Sequence, residues 1–445
     1  MRRVAPFLAL LAAAAAGLSG CSGPATPAER LEAQAKDYVT LALSLRGHSQ
    51  QEVDAYFGPP DLDKPVEGKP ADLATKAAAL RAAIDADTAA DPSPRRAALL
   101  AKLDSLAAVA DVLGREKPLP FDEEAQKLYG MRLVATDVRA ESKRIRDELD
   151  ALLPGMGPLP FRVANFNNRF VVPMDKREGL FRRALEECRT RTAAHWALPA
   201  GEKIEVEFTR DTPAAWHRYL GGSHSSLQVN PVAISFLGTI VDVACHEGYP
   251  GHHAQFLLAQ AAAGPAGFTP EQSVVLLRSP GSVLREGAAN YGVSLVFPPA
   301  DRMAFERDVL FPMAGFAPAD AEKYGAVHRL IGELSYLTLP SLRDYRDGAL
   351  SFNSSTYNLE GEALVASPSA LLKFTDQVGA YVAGYTVARD RVRARVEADV
   401  AAGKDAWQSL QAVLLDADAT AIREPAPLET AALREPEPEA VTRTR

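Results

Sequence analysis

The segment "VACHEGYPGHHAQF", residues 243–256, constrains the fold of this chain more than any other stretch. It begins like the HExxH helix of a zinc protease at His246, but Pro250 stands where the second His belongs. In an unbroken HExxH helix, two His four residues apart share one face and bind one zinc ion. Here the next imidazoles are those of His252 and His253, six and seven residues after His246.

Neither of these imidazoles can meet His246 on a continuous helix. At about 100° and 1.5 Å per residue, His252 points about 120° away from the His246 face, and His253 lies about 10 Å further along the axis. Two zinc-binding nitrogens must both lie about 2.0 to 2.1 Å from the metal. Pro250 and the glycines beside it favour a break in the helix. The sequence therefore predicts a bulge or kink at this break, which swings the next turn back and returns His252 or His253 to His246.

The N-terminal segment "MRRVAPFLALLAAAAAGLSGC" has the pattern of a targeting signal, with two Arg, an apolar run and small residues. Its end, LSGC, is typical of a bacterial lipobox, which predicts removal of a signal peptide (residues 1–20) and lipidation of Cys21. A retained membrane anchor is the alternative, but the apolar run is shorter than the roughly 20 residues that a spanning helix needs. Ser22 favours the outer membrane. We therefore expect a lipid-anchored protein of the bacterial cell envelope that faces the periplasm.

Charge and cysteine content exclude two classes of protein. The chain has 49 basic and 57 acidic residues, and loss of the two signal-peptide Arg changes the net charge from −8 to −10. Nucleic-acid binding through a basic surface is therefore not expected. Only Cys188 and Cys245 remain after Cys21, too few for a disulfide-built scaffold. Cys188 lies on the apolar side of a helical pattern, so we expect it to pack in the core.

Apolar periodicity predicts a mainly α-helical protein with one small sheet next to the motif helix. Three- and four-residue spacing dominates the chain, whereas "KIEVEF" and "SSLQVN" alternate like short strands just before the motif. Ala-rich helices without visible chemistry fill the N-terminal part, and the last residues are rich in Pro and Glu. The predicted parts are a linker (21–30), a helical N-terminal part (31–200), a catalytic part (201–420) and a disordered tail (421–445).

The motif "HEGYPGHH" resembles the HExxPGHH signature of the bacterial domain of unknown function 885 family, and the resemblance covers residues 223–394. Members of that family are commonly exported, often as lipoproteins, and their fold is similar to that of gluzincin zinc metallopeptidases. The resemblance implies a deep cleft, a short sheet beside the motif helix and a downstream Glu as third metal ligand. It makes His252 the second ligand and leaves His253 as the alternative.

Two further residues are carried over from the family's Glu-Gly-Trp-Ala segment, which "REGAANY" resembles. Glu286 matches the third metal ligand, with a solvated helix charge as the alternative, although Ala288 replaces the Trp. Asn290, one turn later, is expected to orient a ligand His. Asp242, one turn before His246, is expected either to support that His or to be a helix charge.

Two weaker matches concern the substrate. "TDQVGAYVAG" resembles a family segment in which Tyr381 would donate to the oxyanion formed at the attacked carbonyl. Core packing is the alternative for Tyr381, and Tyr385 is its rival for the oxyanion role. "GGSHSSLQVN" resembles the strand before the motif, which in gluzincins is an edge strand that pairs with a peptide substrate.

These residues together predict an exported zinc metallopeptidase that hydrolyses peptide bonds. His246, His252 and Glu286 would hold Zn²⁺, and Glu247 would act as general base for the attacking water. One alternative is a non-catalytic binding or scaffolding lipoprotein with a relic metal site, which the departures at Ala288 and at residues 375–376 motivate. Another is a zinc hydrolase of a non-peptide amide or ester.

Overall fold

The chain is mainly helical with a small sheet, as the sequence predicts. The computed structural model describes residues 25–87, 93–133, 139–212 and 214–416, and 68% of these described residues are helical and 7% are in strands. The predicted signal peptide, the lipidation site Cys21 and the predicted tail (421–445) lie outside the described residues. None of the described helices is both long enough and apolar enough to span a bilayer.

The described α-helices follow the apolar spacing of the sequence. They are α1 (Pro27–Leu43), α2 (Pro70–Ala86), α3 (Pro94–Leu113), α4 (Phe121–Tyr129), α5 (Arg139–Leu152), α6 (Leu159–Asn168), α7 (Met174–Ala193), α8 (Leu237–Glu247), α9 (His252–Ala263), α10 (Pro280–Val296), α11 (Pro299–Phe305), α12 (Phe311–Ala314), α13 (Ala321–Glu333), α14 (Thr338–Arg346), α15 (Phe352–Gly361), α16 (Pro368–Val378), α17 (Val387–Ala401) and α18 (Ala406–Leu415). A 3-10 turn (Gly379–Tyr385) joins α16 to α17.

Helix α1 begins inside the segment that the sequence assigns to a linker. Thr26 caps it, because its side chain accepts a hydrogen bond from the Glu29 N–H at 3.3 Å while the Glu29 carboxylate accepts from the Thr26 backbone. Pro27 at the first helical position costs no hydrogen bond there. The capping box therefore starts the helical part at residue 27.

The strands form two small sheets. The strands are β1 (Val53–Tyr56), β2 (Lys203–Phe208), β3 (Ala215–Gly221), β4 (His224–Val229) and β5 (Val274–Leu276). β1 pairs with β5, and the other sheet has the order β2-β4-β3, with β4 parallel to β2 and antiparallel to β3. β4 is therefore the central strand, and the expectation that it is a free edge for a substrate is wrong because both of its sides are already paired.

Two hydrophobic cores hold these elements together. The larger core contains the apolar faces of α5 to α10 and of α17 and α18, whereas the smaller contains those of α1 to α4 with β1, β5 and the 3-10 turn. Both cores take residues from either side of position 200, the boundary that the sequence suggests between the N-terminal and catalytic parts. The N-terminal helices thus pack directly against segments that flank the motif.

A disulfide bond joins Cys188 on α7 to Cys245 on α8. Both residues are fully buried, so Cys188 does lie in the core, but the sequence analysis did not expect its covalent partner. Cys245 directly precedes His246. The bond therefore tethers the end of α8 that carries the first His of the motif to α7.

We predict that loss of this disulfide lowers the free energy of unfolding by about 4 kcal/mol, because the bond closes a long loop in the unfolded chain. Its cysteines are 57 residues apart in sequence. The measurement is urea unfolding of the wild type and of the Cys188→Ala/Cys245→Ala variant, each with and without reductant. Reductant should destabilise the wild type and leave the variant unchanged. Equal stability of all four samples would contradict the prediction.

Candidate metal centre

The break between α8 and α9 is a wide, hydrogen-bonded loop of backbone. The Gly251 N–H donates to the Cys245 carbonyl at 3.1 Å, and the Ala254 N–H donates to the Gly248 carbonyl at 3.1 Å. Each bond spans six residues instead of the four of an α-helix. The loop takes up the two extra residues of the motif, so that His252 starts a new helix beside the end of the old one.

Glycine is required at the break because backbones approach each other closely. A Cβ atom on Gly251 would lie 1.7 Å from the His246 carbonyl oxygen, a distance that no side chain can tolerate. On α10, a Cβ atom on Gly292 would lie 2.7 Å from Cγ of Pro250. The break therefore packs directly against α10, the helix that carries Glu286.

Three predicted ligands converge at this contact. His246 Nε2 lies 3.2 Å from Glu286 Oε2, and His252 Nε2 lies 3.4 Å from Glu286 Oε1. One ligand atom from each residue lies within 4.8 Å of the others. Glu286 is buried and its Oε2 has no hydrogen-bond partner, which is costly for a carboxylate unless a cation completes the site. The group could hold a metal ion.

The charges of the site favour a cation between these groups. Burial alone would raise the pKa of Glu286, but the charge of His252 and the close approach of both imidazoles lower it below its usual range. Burial alone would lower the pKa of His252, but Glu286, Glu247 and Asp54 raise it to about 9. The acids around the site therefore favour the protonated form of His252. A divalent cation would displace that proton and supply the positive charge itself.

The structure brings Asn290 to His246 and takes Asp242 away from it. Asn290 Oδ1 lies 3.1 Å from His246 Nδ1 and accepts its N–H, which leaves Nε2 free as a ligand atom. Asp242 is 54% exposed and forms an ion pair with Arg302 at 2.5 Å. The expectation that Asp242 supports His246 is wrong, because its carboxylate points to α11 on the outer side of α8.

The two tyrosines of the turn between α16 and α17 take different places. The Tyr381 hydroxyl donates to Glu286 Oε1 at 2.8 Å and lies 3.3 Å from Ser282 Oγ. Because the Tyr381 hydroxyl donates its hydrogen to Glu286, a candidate metal ligand, it is not available to donate to an oxyanion. The predicted oxyanion role of Tyr381 therefore does not fit the structure. The Tyr385 ring stacks near His246, at 6.4 Å between ring centroids, and its hydroxyl has no hydrogen-bond partner among the described residues.

His253, the alternative ligand, points away from the site and is fully buried. Its Nδ1 lies 2.7 Å from Ser225 Oγ, and its Nε2 lies 2.9 Å from Glu202 Oε2. Tyr249 and Arg189 also donate to Glu202. Burial alone would raise the pKa of Glu202, but these three hydrogen bonds lower it to about 2. Both ring nitrogens of His253 are occupied, so His252 is the residue that reaches Glu286.

The ionised Glu202 fixes one end of a hydrogen-bond chain. A carboxylate only accepts, so His253 donates to Glu202 from Nε2. Ser225 Oγ, on the other side of the His253 ring, also lies 2.8 Å from His217 Nε2. The His217 ring lies 5.9 Å from that of His252 between centroids. The chain therefore ties α9 to β4 and β3, and no spacing in the sequence pointed to it.

Asp54 on β1 is a further acidic residue at the site that sequence reasoning missed. It lies within electrostatic range of His252, Glu286 and Glu247, and burial is the main cause that raises its pKa to about 6. No sequence motif indicates chemistry in this part of the chain. A lone Asp in a four-residue strand carries no motif, so only tertiary structure reveals its position.

The sequence matches no known family model, and no curated protein is significantly similar to it. The membership in the domain of unknown function 885 family that the motif suggests therefore stays a prediction.

We predict that His252→Ala abolishes stoichiometric zinc binding, whereas His253→Ala retains it. The second change should instead lower the free energy of unfolding by about 2 to 4 kcal/mol, because Glu202 and Ser225 each lose one buried hydrogen-bond partner. The measurements are bound zinc per chain by atomic emission and urea unfolding. Zinc loss in the His253 variant with full retention in the His252 variant would reverse the assignment.

Proposed function

We propose that this chain is an exported zinc-dependent metallopeptidase with a gluzincin-like fold, belonging to the domain of unknown function 885 family. The observation that carries the proposal is the convergence of His246, His252 and Glu286, with Glu247 next to the first His. Two imidazoles and one carboxylate are a typical ligand set of catalytic zinc sites, which keep one position open. His246, His252 and Glu247 are each partly exposed, which supports a cleft that opens onto the site.

A bound zinc ion would activate a water molecule and polarise the scissile carbonyl. Glu247 is the general base of the proposed reaction. No hydrogen bond or ion pair joins its carboxylate to another described residue, and burial raises its pKa, so it can accept a proton and release it again. Glu247 takes the proton of the attacking water and then transfers it to the leaving amine.

Tyr385 is the proposed donor to the oxyanion, because no described residue forms a hydrogen bond with its hydroxyl and Glu286 and Glu247 both lie within its electrostatic range. Tyr381 holds Glu286 through its hydrogen bond. An extended peptide would pair with β3, an edge strand whose His217 lies beside His252. The substrate is thus held between β3 and the end of α8.

The proposed location is the periplasmic side of the outer membrane, with a lipid on Cys21 as anchor. The buried disulfide between Cys188 and Cys245 supports export, because such bonds persist in oxidising compartments. The proposed partners are peptide substrates and, through the lipid, the membrane.

We predict that Glu247→Gln lowers peptide turnover by about 10²- to 10⁴-fold while one zinc ion per chain stays bound. The measurement is cleavage of a mixed peptide library by residues 22–445, read by mass spectrometry with and without chelator, and bound zinc by atomic emission. Asp242→Asn is the matched control, since it neutralises an exposed acid on the same helix. Wild-type peptide turnover by the Glu247→Gln variant would contradict the role of Glu247 as general base.

The wild type decides between the proposal and its alternatives in the same assay. Stoichiometric zinc without cleavage of any peptide would favour a scaffolding protein with a relic site. Cleavage of small esters or non-peptide amides, without cleavage of peptides, would favour a different zinc hydrolase.

We predict that Tyr385→Phe lowers kcat by about 10²- to 10³-fold with unchanged zinc affinity, as expected for loss of an oxyanion donor. Tyr381→Phe should instead weaken zinc binding by about 10- to 100-fold, because Glu286 loses the group that orients it. The measurements are steady-state kinetics at saturating zinc and zinc titration against a competing chelator. The reverse pattern would return the oxyanion role to Tyr381.

A further inference from the structure

Asp54 lies at an irregularity in the sheet formed by β1 and β5. Val53 pairs with Leu276 and Ala55 pairs with Val275, so the register shifts across Asp54. Such a bulge redirects a side chain out of the regular alternation of a strand. β5, the partner of β1, ends at Leu276, and α10, the helix that carries Glu286, begins at Pro280. Asp54 itself lies within electrostatic range of Glu286, His252 and Glu247.

Aromatic packing fixes this end of β1 against the motif. The Phe57 ring makes edge contacts with Tyr219 of β3 at 5.2 Å and with Phe256 of α9 at 5.7 Å between centroids. α9 is the helix that begins at His252. These contacts place the end of β1, three residues after Asp54, beside β3 and the helix that begins at His252.

The Asp54 carboxylate has no partner within the part of the chain that the structure describes. It is partly buried, and neither a hydrogen bond nor an ion pair joins it to another described residue. Its neighbour Glu52, by contrast, forms an ion pair with Arg278 at 3.2 Å. A partly buried carboxylate without a partner is costly, and the cost is recovered when a cation binds to it.

The balance of charges at the site also favours binding of a cation to Asp54. The two positive charges of a divalent cation on the three ligands would be balanced by the negative charges of Glu286 and Glu247. The negative charge of Asp54 would then remain unbalanced by the cation. Arg285 also lies within electrostatic range and offsets part of it. Asp54 therefore adds negative charge to the groups around the candidate metal site.

We propose that Asp54 binds a cationic group of the substrate, so that the enzyme prefers peptides with an ammonium or guanidinium group next to the scissile bond. This inference rests on the proposed peptidase function. The cation has two possible sources, the α-ammonium group at the start of a peptide and the side chain of a Lys or Arg. Asp54 acts here as a specificity-determining residue, since it meets the substrate beside the reacting atoms.

The test compares matched peptides that differ only in charge. One pair has a free or an acetylated N-terminus, and the other has Lys or norleucine next to the cleaved bond. In the wild type, kcat/KM should be higher for the cationic member of at least one pair. Asp54→Asn should lower that cationic-to-neutral ratio by about 10- to 100-fold, the loss expected when a buried charge pair is broken. Asp242→Asn, which removes a paired surface acid, should leave the ratio unchanged.

The peptide pair whose cationic-to-neutral ratio of kcat/KM falls in Asp54→Asn identifies the source of the cation. An unchanged ratio in Asp54→Asn, with normal zinc content and a normal unfolding midpoint, would overturn the inference while the peptidase function stands. If the wild type cleaves no peptide, the proposed peptidase function fails. Peptide binding then still tests whether Asp54 binds a cationic group. Calorimetry on zinc-loaded Glu247→Gln, with and without Asp54→Asn, should show tighter binding of the cationic peptide only when Asp54 is present. Equal affinities for cationic and neutral peptides would overturn the inference.

Discussion

The approach of the Gly251 backbone to the His246 carbonyl is the contact on which the candidate site depends. A six-residue hydrogen bond closes the loop at that point, and only a residue without Cβ leaves room for it. The contact brings His252 back beside His246 and turns His253 the other way. Pro250 fills the outside of the loop and packs against Gly292, which brings α10 and Glu286 to the same place. One backbone contact therefore decides which three side chains meet.

Adjacent histidines in the motif have different tasks because they leave α9 on different sides. His252 faces Glu286 and belongs to the candidate metal site. His253 is buried between Ser225 and the ionised Glu202, and this chain of hydrogen bonds anchors α9 to the sheet. A charged, fully satisfied network of this kind restricts the ways in which α9 can pack. The ligand is thus oriented by its sequence neighbour.

The N-terminal helices contribute to the site as well as to the core. Glu124 on α4 is buried and accepts the Ala380 N–H at 3.0 Å, which holds the turn that carries Tyr381 and Tyr385. Asp54 reaches the site through the bulge in β1. Residues more than a hundred positions apart thereby set the electrostatics of one small volume. A division of the chain into a scaffold part and a catalytic part does not describe this arrangement.

The sequence alone determined the helical class, the two strands before the motif, the break between Glu247 and His252, and the set of His and Glu residues able to meet there. Those features are local, because periodicity, Pro and Gly act within a few residues. Only the tertiary structure decided between His252 and His253, paired Cys188 with Cys245, and brought Asp54 to the site. These features depend on which distant side chains provide hydrogen bonds, charges or space. The spacing of residues in the sequence does not contain that information.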